Sequence, residues 1–268
     1  LPKSNLRQNE VHLKTPDEIA IMREAGRIVG QTHQALRAAV RPGVTTAELD
    51  KIAEAVIRDH GAVPVFLGYP KPGAPNYPAS ITASVNNELV HGIPGKRVLK
   101  EGDIISLDVG ATFHGFVGDA AFTMGVGEIP PAVQRLLDVT EQATYVGIEA
   151  AVVPNETKDV SMAVQAFIEH HGYGVVREYT GHGVGREMHE EPQVPNWWPR
   201  KAQQRGWMSY PLEPGMTFAI EPMVTAGRPE TRELSDKWTV ATRDGSLCAH
   251  FEHTIAVTDG KPIILTLP

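Results

Sequence analysis

The chain has 268 residues, 41% of them apolar, with a formal charge of −7 and one cysteine. That is ample for a sizeable core, and an acidic balance without any Lys/Arg block argues against DNA or another phosphate backbone as partner. Cys248 has no partner for an internal disulfide, no run of about 18 apolar residues is present to cross a membrane, and Leu1-Pro-Lys-Ser lacks a signal-peptide core, so a cytoplasmic location is expected, from a start that is processed or missing.

Residues 1–14 are polar and unpatterned, an arm ahead of a single domain expected over 15–268. Thr15-Pro-Asp-Glu18 combines a hydroxyl N-cap, Pro at the first helical position and Glu at the third, so a helix is predicted from there to about Ala39. Thr45-Thr-Ala-Glu48 repeats the box. It opens a helix whose Leu49, Ile52, Ala53, Val56 and Ile57 form a core-facing stripe, ending at His60-Gly61. Tyr69 to Pro78 reads as a Pro-rich surface loop, leading to a strand over Ser80–Val85 and to Asn87-Glu-Leu-Val-His91-Gly-Ile-Pro94.

Asp103 to Asp119 predicts a β-hairpin, with Ile104, Ile105, Leu107, Val109, Phe116 and Val117 as β-formers and Thr112-Phe-His-Gly115 as the bend. With the turn centred between Phe113 and His114, Asp108 and Asp119 face each other directly. Two such carboxylates repel unless a cation or a shared proton lies between them.

A helix follows from Pro130-Pro131 to about Ala151. Ala150-Ala-Val-Val-Pro154 then echoes Ala38-Ala-Val-Arg-Pro42. The next helix carries Val160, Ala163, Val164, Phe167 and Ile168 on the same stripe and ends at His171-Gly172, as the earlier one ends at His60-Gly61. This is the signature of an internal duplication. Two half-domains with a shared sheet and helices on its outer face are expected, with a site between the halves. Strand signals recur at Gly174–Tyr179, Met216–Glu221, Trp238–Thr242 and His250–Val257.

Glu221 and Glu252 each interrupt an apolar strand, where a lone anion is costly to bury. Gly181-His182-Gly-Val-Gly185 lacks the GxGxxG spacing of a dinucleotide loop, and no HExxH helix is present. Asp108, Asp119, Glu221, Glu252 and His182 instead form an oxygen-rich set suited to two adjacent divalent ions; Mn, Fe, Co and Zn all fit it.

Taken together, Asp108 and Asp119 eleven apart, Gly181-His182-Gly-Val-Gly, His189-Glu-Glu-Pro-Gln-Val194, Phe218-Ala-Ile-Glu221-Pro-Met, Phe251-Glu252-His-Thr and Asn87-Glu-Leu-Val-His91-Gly-Ile-Pro resemble the type I methionine aminopeptidases over about residues 15–265. The resemblance implies the pita-bread α/β fold: duplicated halves with a curved, mainly antiparallel sheet under an outer layer of helices. It implies one ion on Asp108, Asp119 and Glu252 and another on Asp119, His182, Glu221 and Glu252. It further implies Glu221 as proton shuttle, His91 and His189 as donors to the substrate, and a methionine slot lined by Tyr69, Tyr77, Met188 and Trp238 beside His91. Phe66 is expected to serve core packing. The implied substrates are N-terminal Met peptides and nascent chains at the ribosome, preferably with a small second residue, and the implied state is a monomer.

Three features depart from the family pattern: a longer Tyr69–Tyr77 loop, Met188 where an aromatic is usual, and a longer tryptophan-rich stretch at 195–207. Trp197, Trp198 or Trp207 is expected either at the rim of the pocket or against the arm. An Xaa-Pro aminopeptidase or prolidase of the same fold, and a binding module that has lost its metals, are the competing readings.

Overall fold

Two capping boxes start the first helix pair. In the computed structural model, which describes residues 10–200 and 206–268, the Thr15 hydroxyl accepts the Glu18 N–H and the Glu18 carboxylate accepts the Thr15 N–H, opening α1 (Pro16–Ala39). Thr45 and Glu48 make the same exchange at α2 (Thr46–Asp59). Residues 1–9 of the expected arm and 201–205 of the tryptophan-rich stretch lie outside the described residues.

The chain then forms β1 (Val63–Pro64), β2 (Thr82–Val85), β3 (Glu88–Val90), β4 (Ile104–Phe113) and β5 (Phe116–Gly125). A second helix pair follows, α3 (Pro131–Ala150) and α4 (Thr157–His170). Among the described residues ten short strands follow: β6 (Gly174–Val175), β7 (Thr180–Gly183), β8 (Glu190–Pro195), β9 (Thr217–Ile220), β10 (Met223–Thr225), β11 (Thr231–Glu233), β12 (Val240–Thr242), β13 (Cys248–His250), β14 (His253–Ala256) and β15 (Ile263–Ile264).

The duplication is visible in side-chain detail. Leu49, Ala53 and Ile57 of α2 and Val160, Val164 and Ile168 of α4 are the buried apolar stripe of each helix. Both helices end on a histidine whose Nδ1 lies 2.8 Å from the carbonyl four residues back, His60 on Val56 and His171 on Phe167, followed by a left-handed glycine, Gly61 or Gly172.

In the first half β4 pairs with β5 along one edge and with β2 and then β1 along the other; in the second the order is β15-β14-β9-β7-β8. Smaller sheets, β13-β10-β6 and β11-β12-β3, complete the inner layer, and the strand pairs are antiparallel. Helix α1 covers β4 and β5 while α3 covers β9, β10 and β13, so the apolar faces of helices and sheets share one core.

The halves are joined by a seam of hydrogen bonds. Ala121 and Glu252 exchange backbone bonds (3.3 and 2.9 Å). The Thr254 hydroxyl donates to the Asp119 carbonyl at 2.7 Å. The Thr123 hydroxyl donates to the His250 carbonyl at 2.8 Å and accepts the His250 N–H at 2.9 Å.

The hairpin register differs from the sequence expectation. His114 (φ 49°) and Gly115 (φ 80°) are the two left-handed turn residues, so Phe113 pairs with Phe116. The turn centre thus moves one residue along; Asp108 opposes Ala121 and Asp119 opposes Gly110. The aspartates are diagonal neighbours on one face rather than a directly opposed pair.

Trp197, Trp198 and Trp207 are not among the residues that line the cavity between the halves. Strand β8 runs beside α4, so the chain leaving it passes over that helix: the Trp198 N–H donates to Gln165 of α4 at 3.0 Å, and Trp207 makes edge contacts with Trp197 and Trp198. Trp198 and Trp207 line a separate surface cavity with Met162, Gln165 and Glu169.

Candidate metal centre and substrate cavity

Each ligand candidate reaches the seam from a different strand. Asp108 sits in β4 and Asp119 in β5, His182 in β7, Glu221 directly after β9 and Glu252 directly before β14. Gly110, opposite Asp119, leaves the space: a Cβ there would lie 2.2 Å from Val65 Cγ1 and 3.4 Å from Asp119 Oδ1. Strand β7 is squeezed in the same way. A Cβ on Gly181 would stand 2.5 Å from the Ala219 carbonyl oxygen and one on Gly183 2.3 Å from that of Glu191, so His182 is flanked by the one residue type that fits.

Four carboxylates converge here with no counter-charge from Lys or Arg among the described residues. Oxygen atoms of Asp108, Asp119, Glu221 and Glu252 are buried with no hydrogen-bond partner. Burial first, then mutual repulsion, pushes Asp108, Asp119 and Glu221 well above the usual carboxylate range, and burial raises Glu252 to about 8. His182 Nδ1 lies 3.0 Å from the Gly183 carbonyl, which leaves Nε2 for Glu221 at 3.3 Å and Asp119 at 3.9 Å. Burial, then the neighbouring His189, holds His182 down at about 3, hence neutral. Orphaned carboxylate oxygens around a neutral imidazole nitrogen are the donor set a divalent ion requires. Among the described residues, two clusters have ligand atoms within 4.8 Å of one another, Asp119–His182–Glu252 and Asp108–His250–Glu252. Glu252 belongs to both.

The carboxylates line a cavity of about 270 Å³ whose other walls are Phe66, Tyr69, Tyr77, Met188 and Trp238, with His91 and His189. Tyr77, expected in a surface loop, is 2% exposed and donates to the Gly92 carbonyl at 2.8 Å. That bond, with the Ser84 hydroxyl on the Gly92 N–H, steadies His91, whose φ of 59° is left-handed. Trp238 stacks edge-on to Tyr77 at 5.1 Å and donates to the Pro75 carbonyl. Phe66 both joins this apolar cluster and lines the cavity.

His189 stands at the mouth, its Nδ1 2.7 Å from the Tyr69 hydroxyl and its ring 4.2 Å from that of His182. The loop carrying Met188 and His189 is tied to the arm. Lys14 Nζ meets Glu190 Oε2 at 2.5 Å with both side chains nearly buried (5% and 11% exposed), while Glu190 Oε1 accepts the Arg186 and Glu187 N–H groups.

Sequence reasoning missed His250, Tyr179 and Thr82 among the lining residues. Cys248 lies four residues before Glu252, on the same side of the alternating chain, and its thiol is directed to the Asn86 carbonyl in a separate apolar cluster. The same alternation puts His250, two residues before Glu252, on the inward face.

The raised carboxylates set the pH response of the metal-free protein. They keep protons in the fold that the unfolded chain releases above about 4.5 for Glu, so stability falls as pH rises until the folded value, about 8 for Glu252, is passed. The buried histidines act with the opposite sign only below about 6.5. Between pH 6.5 and 8 the EDTA-treated protein is therefore expected to lose Tm while Mn²⁺-loaded protein does not. A calorimetric gap between the two that stays constant or narrows over that range would contradict the site.

The family model described as metallopeptidase family M24 matches residues 20–259. The chain is 50% identical to methionine aminopeptidase 1 of Bacillus subtilis, over 94% of this chain and 98% of that protein. Methionine aminopeptidases of Rickettsia prowazekii and Thermotoga maritima superpose with TM-scores of 0.90 at 37% and 40% identity, covering 96% and 97% of this chain and 100% of each of theirs. An Xaa-Pro dipeptidase of Bacillus anthracis shares the fold at a TM-score of 0.74 and 24% identity, with this chain spanning 61% of it.

Proposed function

This chain belongs to metallopeptidase family M24, and from that premise we propose that it is a metalloaminopeptidase that removes the N-terminal methionine of peptides and nascent proteins, preferring a small second residue. The observation that carries this is one cavity with a floor of orphaned carboxylates and an aromatic wall.

Asp108, Asp119, His182, Glu221 and Glu252 would hold two divalent ions. When bound, these supply the Lewis acidity that ionises a water near neutral pH and polarises the scissile carbonyl. Glu221, whose Oε1 has no other hydrogen-bond partner, takes the proton of the attacking water and returns it to the departing amine nitrogen. Tyr69 keeps its phenol proton because burial raises its pKa; donating it to His189 Nδ1 leaves the His189 proton on Nε2, free to serve the carbonyl oxygen as charge develops there. Burial holds His91 down at about 4, so it too is a neutral donor at the cavity wall. The unbranched thioether of methionine suits a slot lined by Tyr77, Met188 and Trp238, where sulfur meets ring edges. No helix of the described residues is long and apolar enough to cross a membrane, in keeping with encounter in the cytoplasm, where nascent chains leave the ribosome.

Metal-loaded protein is expected to release free Met from Met-Ala-Ser and to leave Xaa-Pro-Xaa peptides intact; cleavage of the Xaa-Pro substrate alone would replace this reading with that of a prolidase. His189→Ala is expected to lower kcat by about 10²–10³ while metal content, read by atomic absorption, stays unchanged. Loss of metal in that variant would instead make His189 a ligand.

A further inference from the structure

The dinuclear reading gives the site a single imidazole, on His182. Yet a second histidine points into the same carboxylate cluster. His250 is 2% exposed, lines the cavity, and has Nε2 3.6 Å from Glu252 Oε2. One ligand atom each from Asp108, His250 and Glu252 lie within 4.8 Å of one another. At 3.6 Å the ring is not hydrogen-bonded to the carboxylate. It is close, however, to the separation of two adjacent atoms around one ion, since metal bonds of about 2.1 Å place neighbouring ligand atoms roughly 3.0–3.4 Å apart.

We propose that His250 is a metal ligand, so that each of the two ions receives one imidazole: His182 beside Asp119, and His250 beside Asp108, with Glu252 common to both.

Three features of the site support the assignment, which rests on the dinuclear reading above. The His250 backbone is fixed at the seam, because its N–H and carbonyl both bond the Thr123 hydroxyl, itself 2.8 Å from that of Ser106. The ring is therefore presented from a rigid strand end rather than from a mobile loop. Its ring also meets the Pro222 carbonyl, which favours a proton on Nδ1 and leaves Nε2, the atom nearest Glu252, as the donor to an ion. Finally, the two clusters become alike, one Asp, one His and a shared Glu. A nitrogen donor in each moves the preference of both ions from Mn²⁺ toward Co²⁺ and Zn²⁺ and brings their two affinities closer together.

The test uses Co²⁺ as the probe on the full chain. In ¹H NMR of the Co²⁺-loaded wild type, two solvent-exchangeable, paramagnetically shifted imidazole N–H signals are expected, one from His182 and one from His250. His250→Gln is expected to remove one of them, alter the visible Co²⁺ absorption, and weaken one of two calorimetrically resolved ions by about 10–100-fold, as loss of even a supporting group at a metal does. The wild-type spectrum decides the matter even if the variant does not fold. A single shifted signal with two ions bound would overturn the assignment of His250 and leave the dinuclear reading standing. Failure of the wild type to take up Co²⁺ would overturn both, and unchanged signals and affinities in folded His250→Gln would leave His250 as a packing residue only.

Discussion

Glu252→Ala is expected to be the most damaging substitution in the molecule, removing both metal ions and aminopeptidase activity together. Glu252 is the member common to the Asp119–His182 and Asp108–His250 clusters, so loss of its carboxylate opens both. Its backbone is held by the paired bonds with Ala121, which do not depend on the side chain. The fold should therefore survive, and metal-free variant and metal-free wild type should melt within a few degrees of each other. Because the variant removes one buried, partly protonated acid, its metal-free form should even lose less stability between pH 6.5 and 8 than the wild type does. Metal analysis after dialysis against Co²⁺ should find well under one ion per chain, with activity down by at least about 10³, the scale of losing the activated nucleophile and its positioning. Retention of one tightly held ion would show that Glu252 serves one site alone.

Lys14→Met is the second, and it acts on stability. The ammonium group is nearly buried against Glu190, and removing one partner of a buried pair leaves the other charge uncompensated, at about 3–5 kcal/mol. At roughly 2–4 °C per kcal/mol for a chain of this size, Tm should fall by about 10 °C. The double variant Lys14→Met with Glu190→Leu should recover only part of this. The Glu190 carboxylate also accepts the Arg186 and Glu187 N–H groups, and those would be left without it. Since the same loop carries His189, turnover of Met-Ala-Ser should drop in the single variant at temperatures well below its melting point. A Tm within about 2 °C of the wild type would show that the pair is solvent-screened and contributes little. The arm, unreadable as sequence, thus has one defined task at its C-terminal end.

How far the sequence could be read follows from how local each determinant is. The helix starts at Thr15 and Thr45 are closed by bonds spanning three residues, so they could be recognised from spacing alone. The repeated His-Gly ends were equally legible, since ring and carbonyl lie four residues apart. The hairpin was legible as an element but not in register, because a one-residue move of the turn is decided by whether His114 takes a left-handed conformation, which many sequences permit and few require. The tryptophans of 197–207 were legible as a cluster that must be covered, but their destination depended on the course of β8 beside α4. His250 escaped notice because it sits beside a more conspicuous acid, and a lone buried histidine is ordinarily structural.

By itself, the sequence determined the four helices of the described residues, the aspartate hairpin, the duplication and the types of side chain available for metal chemistry, all of them properties of short-range hydrogen bonding and apolar periodicity. Only the tertiary structure decided that Asp108 and Asp119 meet diagonally, that Tyr77 turns inward, and that Glu252 stands between two clusters with His250 in one of them. These depend on β4, β5, β7, β9 and the start of β14 meeting at a single seam. What holds that seam is a handful of bonds between residues far apart in the chain, from Thr123 to His250 and from Asp119 to Thr254, whose partners no local pattern announces.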